Sequence, residues 1–176
     1  MNNRFIMTAF GKDRVGIVAD VTRLLYENDC NLEDTTMTIL ADAFTLNLLF
    51  SSKQSNIEEQ LSRECRRLEH EKGISAFVRL LPALERRVQK GYKTCTLHIE
   101  CLDQSGIVYK TSQFLADNNL NILRLSSTSK ASPESGAPIY TMEIHVQVPE
   151  EISLDQVEED LSTIEDEMPV DITMSR

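Results

Sequence analysis

The sequence predicts an α+β fold in which a βαββαβ module occurs twice in tandem. Residues 13–18 read DRVGIV, and 90 positions later residues 103–108 read DQSGIV. Asparagines recur at the same offset, with Asn28 and Asn31 matched by Asn118 and Asn121. Solenoid repeats span roughly 20–50 residues, so a longer repeat indicates a duplicated domain. The apolar patterns of the two halves, taken in order below, give the same succession of strands and helices.

The length of 176 residues allows two small domains. Halves of about 88 residues bury only a modest core, and such units gain stability by pairing with each other or with a second chain. We predict a first domain over residues 1–82, a connector over residues 83–92 and a second domain over residues 93–176.

The first half opens with a β-prone run over residues 4–10, followed by a turn that starts at Gly11. The next apolar residues have the spacing of one helical face: Ile17, Val18, Val21, Leu24 and Leu25. Asp13 is expected to cap this helix, and Asn28 suits its end.

A hairpin and a second helix complete the first half. Residues 32–40 and 43–50 read as two strands, the second with strict alternation of large apolar residues. Apolar residues then step by three or four, which indicates a helix: Ile57, Leu61, Cys65 and Leu68. Gly73 is expected to follow the end of this helix, and residues 74–81 supply the fourth strand.

The second half repeats this order. Its strands are predicted over residues 94–102, 121–129, 139–148 and 170–174. The first helix, residues 105–118, is expected to direct four side chains into the core: Ile107, Val108, Phe114 and Leu115. The second helix has one apolar face, formed by Leu154, Val157, Leu161 and Ile164. Residues 130–138 are expected to form a surface loop, longer than its counterpart in the first half.

The order βαββαβ builds a four-stranded antiparallel sheet with both helices on one face, which is the ferredoxin-like arrangement. The other face of each sheet is left bare. Two such units are able to cover their faces or edges by pairing.

The charge distribution argues against direct nucleic-acid binding. The formal net charge is −10; residues 1–88 have 12 basic and 13 acidic side chains, and residues 89–176 have 6 and 15. Affinity for phosphates requires a basic surface. An RNA-recognition module has the same order of strands and helices, but neither half contains its aromatic strand motif.

No part of the sequence reads as a membrane span or as a signal peptide, so we expect a cytoplasmic protein without membrane contact. The four cysteines show no C-x-x-C pair, which argues against a zinc site. Cys95 and Cys101 are expected about 20 Å apart along one strand, too far to bridge each other. His98 lies at the opposite strand parity from both cysteines, so a cysteine–histidine catalytic pair is not expected.

The loop that joins the first strand to the first helix ends in glycine in both copies. Glycine permits close approach of the backbone, and the free N–H groups of a helix start attract a carboxylate. An amino acid would fit such a place. An interpretation without a ligand is equally compatible with these residues: the aspartates are helix caps and the glycines are turn residues.

These residues resemble the opening of ACT domains, the small regulatory modules that bind amino acids. The resemblance rests on Gly11 to Val18 with Asn31-Leu32, and on residues 103–108 with Asn121-Ile122. Two such modules without a catalytic domain are similar to the glycine cleavage system transcriptional repressor family, and residues 30–40 resemble the first domain of that family. A non-enzymatic protein without a cofactor is implied.

The resemblance implies a ligand site where the glycine loop of one module meets a neighbouring module, within the chain or in a homodimer. In the first module the candidate ligand-binding residues are Asp13, Arg14, Val15, Gly16, Ile17 and Asn31. In the second they are Asp103, Gln104, Ser105, Gly106, Ile107 and Asn121. The two asparagines are also explained as simple loop residues.

The two loops differ from the family pattern and from each other. Neither has the proline that commonly precedes the glycine, which leaves both loops less preorganised. Arg14 is replaced by Gln104 and Val15 by Ser105, so the second site is expected to differ in its ligand or to be empty.

The acidic segment 150–167 reads as a solvated helix face or as a docking surface for a basic partner. The family implies that this partner is a DNA-binding transcriptional activator, whose action is blocked until glycine relieves the block. Two alternatives stay open: an amino-acid sensor that regulates an enzyme, and a module for protein pairing that has no ligand.

Overall fold

A computed structural model describes residues 3–82, 91–102, 105–133, 136–167 and 169–176. The chain divides into two compact units, Met1–Arg87 and Val88–Arg176. Of the predicted connector, residues 83–92, only Gly91 and Tyr92 are among the described residues.

The first unit is one βαββαβ module. Its elements are β1 (Asn3–Lys12), α1 (Ile17–Glu27), β2 (Asn31–Leu40), β3 (Ala43–Ser52), α2 (Ile57–Lys72) and β4 (Ser75–Leu81). The antiparallel sheet has the order β2-β3-β1-β4.

The second unit repeats this topology. Its elements are β5 (Tyr92–Leu102), α3 (Ile107–Asp117), β6 (Asn121–Ala131), β7 (Pro138–Pro149), α4 (Leu154–Glu167) and β8 (Val170–Ser175). The sheet order is β6-β7-β5-β8. The predicted fold class, two ferredoxin-like modules in tandem, is confirmed.

Each module has its own hydrophobic core between the helices and one face of the sheet. Alternation along β3 buries Phe44, Leu46, Leu48 and Phe50, as the sequence predicts. Val18 and Val108 are exceptions, because they are 37% and 39% exposed rather than inward. Each of these valines directly follows an isoleucine that faces the core. Successive residues of a helix are about 100° apart around its axis, so the valine lies to one side of the buried face.

Several boundaries differ from the sequence prediction, among them the end of β1 and the loop between β6 and β7. β1 continues through Gly11 to Lys12, because Lys12 pairs with Ala43 of β3. The predicted loop 130–138 is shorter than expected, because β6 and β7 stay paired as far as Ala131 and Pro138. Ladder hydrogen bonds to a neighbouring strand override the weak strand propensity of such polar residues.

In the described part of the chain, no helix is long and apolar enough to cross a membrane.

Candidate functional site

The glycine loop of the first module lies between β1 and α1, beside the turn that joins β2 to β3. The backbone N–H of Asp13 donates to the carbonyl oxygen of Asp42 at 2.8 Å. Antiparallel pairing of β1 with β3 brings these two turns to the same end of the sheet. The beginning of the loop is therefore anchored to the turn between β2 and β3.

Gly16 forms the N-cap of α1 with a φ of 85°, a left-handed conformation that side chains other than glycine disfavour. No described side chain caps this helix, and Asp13 makes no such bond, so the predicted cap by Asp13 is wrong. The first intrahelical bond runs from the N–H of Asp20 to the carbonyl of Gly16, at 3.0 Å. The N–H groups of Val18 and Ala19 have no acceptor among the described residues. They are donors available to an anion.

Arg14 is bound to Asp20, a residue that the sequence analysis missed. The Arg14 Nη2 donates to Asp20 Oδ2 at 2.6 Å, and Lys72 Nζ lies 3.9 Å from Asp20 Oδ1. The hydrogen bond from Arg14 lowers the pKa of Asp20 below its ordinary value of 3.8 and outweighs the opposing effect of burial. The guanidinium of Arg14 is thus already neutralised.

We expect Asp20→Asn to lower the free energy of unfolding at neutral pH by less than about 1 kcal/mol, because partly exposed ion pairs contribute little. Folding lowers the pKa of Asp20, so its contribution is present above the unfolded-state pKa and is lost as the pH falls through the lower folded-state pKa. Urea unfolding of both proteins between neutral pH and strong acid measures this.

The control for that prediction is Arg14→Gln, which installs the residue found at the matching position of the second module. In that background, Asp20→Asn should lose most of its pH-dependent effect, because the strongest partner is already absent. A stability difference that is the same in acid and at neutral pH would contradict the role of the ion pair.

The remaining candidates of the first loop differ in exposure. Val15 is 99% exposed, whereas the side chain of Ile17 is buried in the core. Ile17 therefore serves the module's core with its side chain, and only its backbone faces the loop, where its N–H donates to the Arg14 carbonyl at 3.3 Å.

Asn31 lies at the other end of the sheet from the glycine loop. It pairs with Ser51 at the start of β2, whereas the loop adjoins the end of β2 at Leu40. The length of that strand separates them by about 30 Å. Within one module, Asn31 and Asp13 are too far apart to hold the same small ligand, so a role for Asn31 requires a loop from another module.

The recurring Asn28 and Asn118 have a structural explanation. Both are C-cap residues, and each donates its side-chain amide to a carbonyl one turn earlier, Leu24 at 2.7 Å and Phe114 at 3.0 Å. Asn28 is buried and also accepts a hydrogen bond from Gln60 at 2.5 Å. This polar network is far from the glycine loop.

The glycine loop of the second module begins with Asp103 and Gln104, which lie outside the described residues. Gly106 is again an N-cap with a left-handed backbone, at φ 98°, and no side chain among the described residues caps the helix. Ser105 is exposed and Ile107 is buried in the core. The position of Asp20 is taken by Lys110, so the charge beside the second loop is reversed.

Asn121 begins β6, so it lies at the opposite end of its sheet from Gly106. Its side-chain amide donates to Gln147 Oε1 at 3.3 Å. Like Asn31, it belongs to a strand start and not to the glycine loop of its own module.

The cysteines of the described chain show no catalytic arrangement. Cys65, Cys95 and Cys101 are buried and Cys30 is half-buried. Burial raises the pKa of Cys65 to about 11, which disfavours the reactive thiolate. Among the described residues, no group of three histidine, cysteine or acidic side chains is placed to hold a metal ion.

The structure is that of a protein with two ferredoxin-like modules, each of which has a glycine at the N-terminus of its first helix. The model of the ACT domain matches residues 3–79. A UPF0237 protein of Methanopyrus kandleri is 32% identical over 76 residues, which are 43% of this chain and 84% of that protein. One of Streptococcus mutans is 42% identical over 59 residues, 34% and 67% of the two chains. This chain belongs to the ACT-domain family.

Two solved structures match the full length of the chain. A protein from Galdieria sulphuraria of unknown identity has a TM-score of 0.80 and 26% identity, with 99% of this chain and 98% of that chain covered. A candidate glycine cleavage system transcriptional repressor has a TM-score of 0.71 and 22% identity, with 99% and 97% covered. The second likeness concerns the fold alone.

Proposed function

We propose that this chain is a non-enzymatic regulator that binds a small amino acid at its first glycine loop and modulates transcription through a protein partner. The observation that supports this best is the start of α1, where Gly16 leaves the N–H groups of Val18 and Ala19 without an acceptor. ACT domains are amino-acid-binding modules, which fits a carboxylate at this place. Glycine is our preferred ligand, because the fold is like that of the candidate repressor.

In this proposal the ligand carboxylate accepts hydrogen bonds from the start of α1, aided by the positive end of the helix dipole. Arg14 is held by Asp20, so it orients the loop and reaches the ligand only if it leaves that partner. The ammonium group of the ligand faces a neighbouring module, in this chain or in a second copy, which completes the site. The second loop is expected to bind more weakly or to prefer another ligand.

Regulation requires that the ligand binds unequally to two states of the protein. The partner in our proposal is a basic, DNA-binding transcriptional activator. The charge of the second half supports it, because residues 89–176 have 15 acidic and 6 basic side chains. This excess of negative charge attracts a basic protein and repels nucleic acid.

A thermal-shift screen against the twenty amino acids tests the proposal, because a ligand of the native state raises the melting temperature with increasing concentration. We expect glycine, or one close relative, to raise it. Gly16→Ala should reduce this shift, because a side chain at φ 85° forces the loop to rearrange.

The matched control is Gly136→Ala, at φ 71° in another loop and with equal space for a side chain. Both variants are expected to lose about 1 kcal/mol of stability, but only Gly16→Ala should lose the response to ligand. No shift with any amino acid, or equal loss in both variants, would favour the ligand-free pairing module.

A further inference from the structure

The open face of the first sheet, on the side away from the helices, has apolar side chains that lie next to each other. Phe10 and Phe77 on this face are 50% and 47% exposed. Phe77 on β4 is the diagonal neighbour of both Ile6 and Phe10 on β1. Ile6 in turn is directly opposite Leu49 of β3, and both are half-buried. Adjacent exposed apolar side chains mark interaction surfaces, whereas single ones do not.

One row of side chains crosses this face from edge to edge. It consists of four residues joined by register pairing, one on each strand in sheet order: Asp34, Leu49, Ile6 and Arg79. Directly opposed residues of antiparallel strands have their side chains on the same face. The row therefore has an acid at one edge, two apolar residues in the middle and a base at the other edge, across about 15 Å.

The charges at the two ends of this row have no ionic partner within the described part of the chain. Arg79 and Asp34 take part in no ion pair there. Asp34 accepts a local hydrogen bond from the N–H of Thr35, at 2.7 Å. By contrast, Arg4 of the same face is bonded to Glu33 at 2.8 Å. The row thus offers one acid and one base to a surface with the reverse arrangement.

The second module lacks this row. In the same sheet order, its matching positions are occupied by Arg124, His145, Thr96 and Ser175. The aromatic residues are also absent from its open face, where Glu100 replaces Phe10 and Thr173 replaces Phe77. Because the two sheets have the same topology, the fold does not require an apolar open face with opposite charges at its edges.

We propose that the open face of the first sheet pairs with the same face of a second copy of this chain. The row is self-complementary about a two-fold axis that runs along the strands, between β1 and β3. This axis reverses the strand order, so Asp34 faces the Arg79 of the second copy. In the middle of the row, Leu49 faces the Ile6 of the second copy. Sheets commonly pack face to face in this way, with roughly aligned strands about 10 Å apart.

The neighbouring rows are compatible with the same axis. Each β1 side chain of these rows faces an uncharged β3 side chain of the second copy: Arg4 faces Ser51, Thr8 faces Asn47 and Phe10 faces Thr45. At the edges, Thr36 of β2 faces Phe77 of β4. No charges of like sign therefore meet in the rows from Arg4 to Phe10, and the apolar side chains lie in the covered area.

The size of the face sets the strength of the contact. Four strands and four rows cover about 15 Å by 20 Å, which is well below the roughly 800 Å² per partner of a standard interface. We expect a weak dimer with a Kd of tens of micromolar, on the order of 50 µM. At lower concentrations the monomer predominates, so unfolding of dilute protein reports a sheet whose open face is in water.

Charge reversal tests the proposal, with association of the full chain followed by analytical ultracentrifugation between about 1 and 200 µM. Asp34→Arg places two bases together across the axis, and Arg79→Asp places two acids together. We expect each variant to associate about ten-fold more weakly than the native chain. An equimolar mixture of the two variants restores both complementary pairs and should associate to within about three-fold of the native chain.

The matched control is Arg124→Asp, which reverses the charge of an exposed side chain at the position of Asp34 in the second sheet. It should leave association unchanged, and equal weakening by this variant would overturn the proposal. Native chain that stays monomeric throughout, or association that neither Asp34→Arg nor Arg79→Asp weakens, would also overturn it. So would two weakened variants whose mixture fails to recover. Recovery in the mixture shows at the same time that both variants are folded.

Discussion

Phe50→Ala is expected to lower the free energy of unfolding of the first module by about 3–5 kcal/mol. Phe50 is fully buried on β3 and stacks on Phe5, with ring centroids 5.5 Å apart. Truncation removes the buried ring and leaves a cavity that the close-packed sheet fills poorly. Small domains have only about 5–15 kcal/mol of stability, so urea unfolding should show an early transition of this module.

The control is Phe77→Ala, which deletes the same side chain from the open face of the sheet. Phe77 is 47% exposed, so we expect a loss below about 1 kcal/mol. If the two variants were equally destabilised, the open face would have to be covered in solution, and the assignment of the core to the helix side alone would be wrong.

Asn28→Ala is expected to cost about 1–3 kcal/mol, because it breaks a buried polar network. The side-chain amide of Asn28 donates to the Leu24 carbonyl, and its oxygen accepts from Gln60 Nε2. Truncation leaves the amide of Gln60 without that acceptor. It also removes the hydrogen bond to the Leu24 carbonyl, which otherwise lacks a partner at the end of α1. Urea unfolding of the purified variant measures the loss.

Asn118→Ala removes the corresponding C-cap side chain of the second module, which is less buried than Asn28. Asn118 is only half-buried, and within the described part of the chain its side chain makes one hydrogen bond, to the Phe114 carbonyl. We expect it to lose less stability than Asn28→Ala. In a double-mutant cycle, Gln60→Ala should add little to Asn28→Ala, whereas full additivity would show that the two side chains act independently.

The sequence was sufficient for the fold because the information is local. Alternation in β3 and the steps of three and four residues in α2 identify strand and helix without reference to the rest of the chain. Gly73, expected after α2, has the left-handed backbone of a helix C-cap at φ 68°. The same order of elements in both halves then leaves few possible topologies.

The candidate site was predicted less well, because its contacts are tertiary. The pairing of Arg14 with Asp20 depends on how the loop folds over the start of α1, and Lys72 approaches from the end of another helix. Asp13 was expected to cap α1, but the left-handed Gly16 starts the helix three residues later. The distance of Asn31 from the loop follows from strand direction, which proximity in the sequence does not reveal.

The open faces of the two sheets differ, because β1 has Thr8 at the position where β5 has His98, and this difference bears on how the chain avoids misfolding. Tandem domains with one topology are prone to exchange equivalent strands during folding, and such exchanged states aggregate. If β5 took the place of β1, the polar His98 would stand opposite the apolar Phe77 instead of its usual neighbour Thr173. Divergence of the faces thus makes each central strand specific for its own sheet, which favours correct assembly as the chain is synthesised.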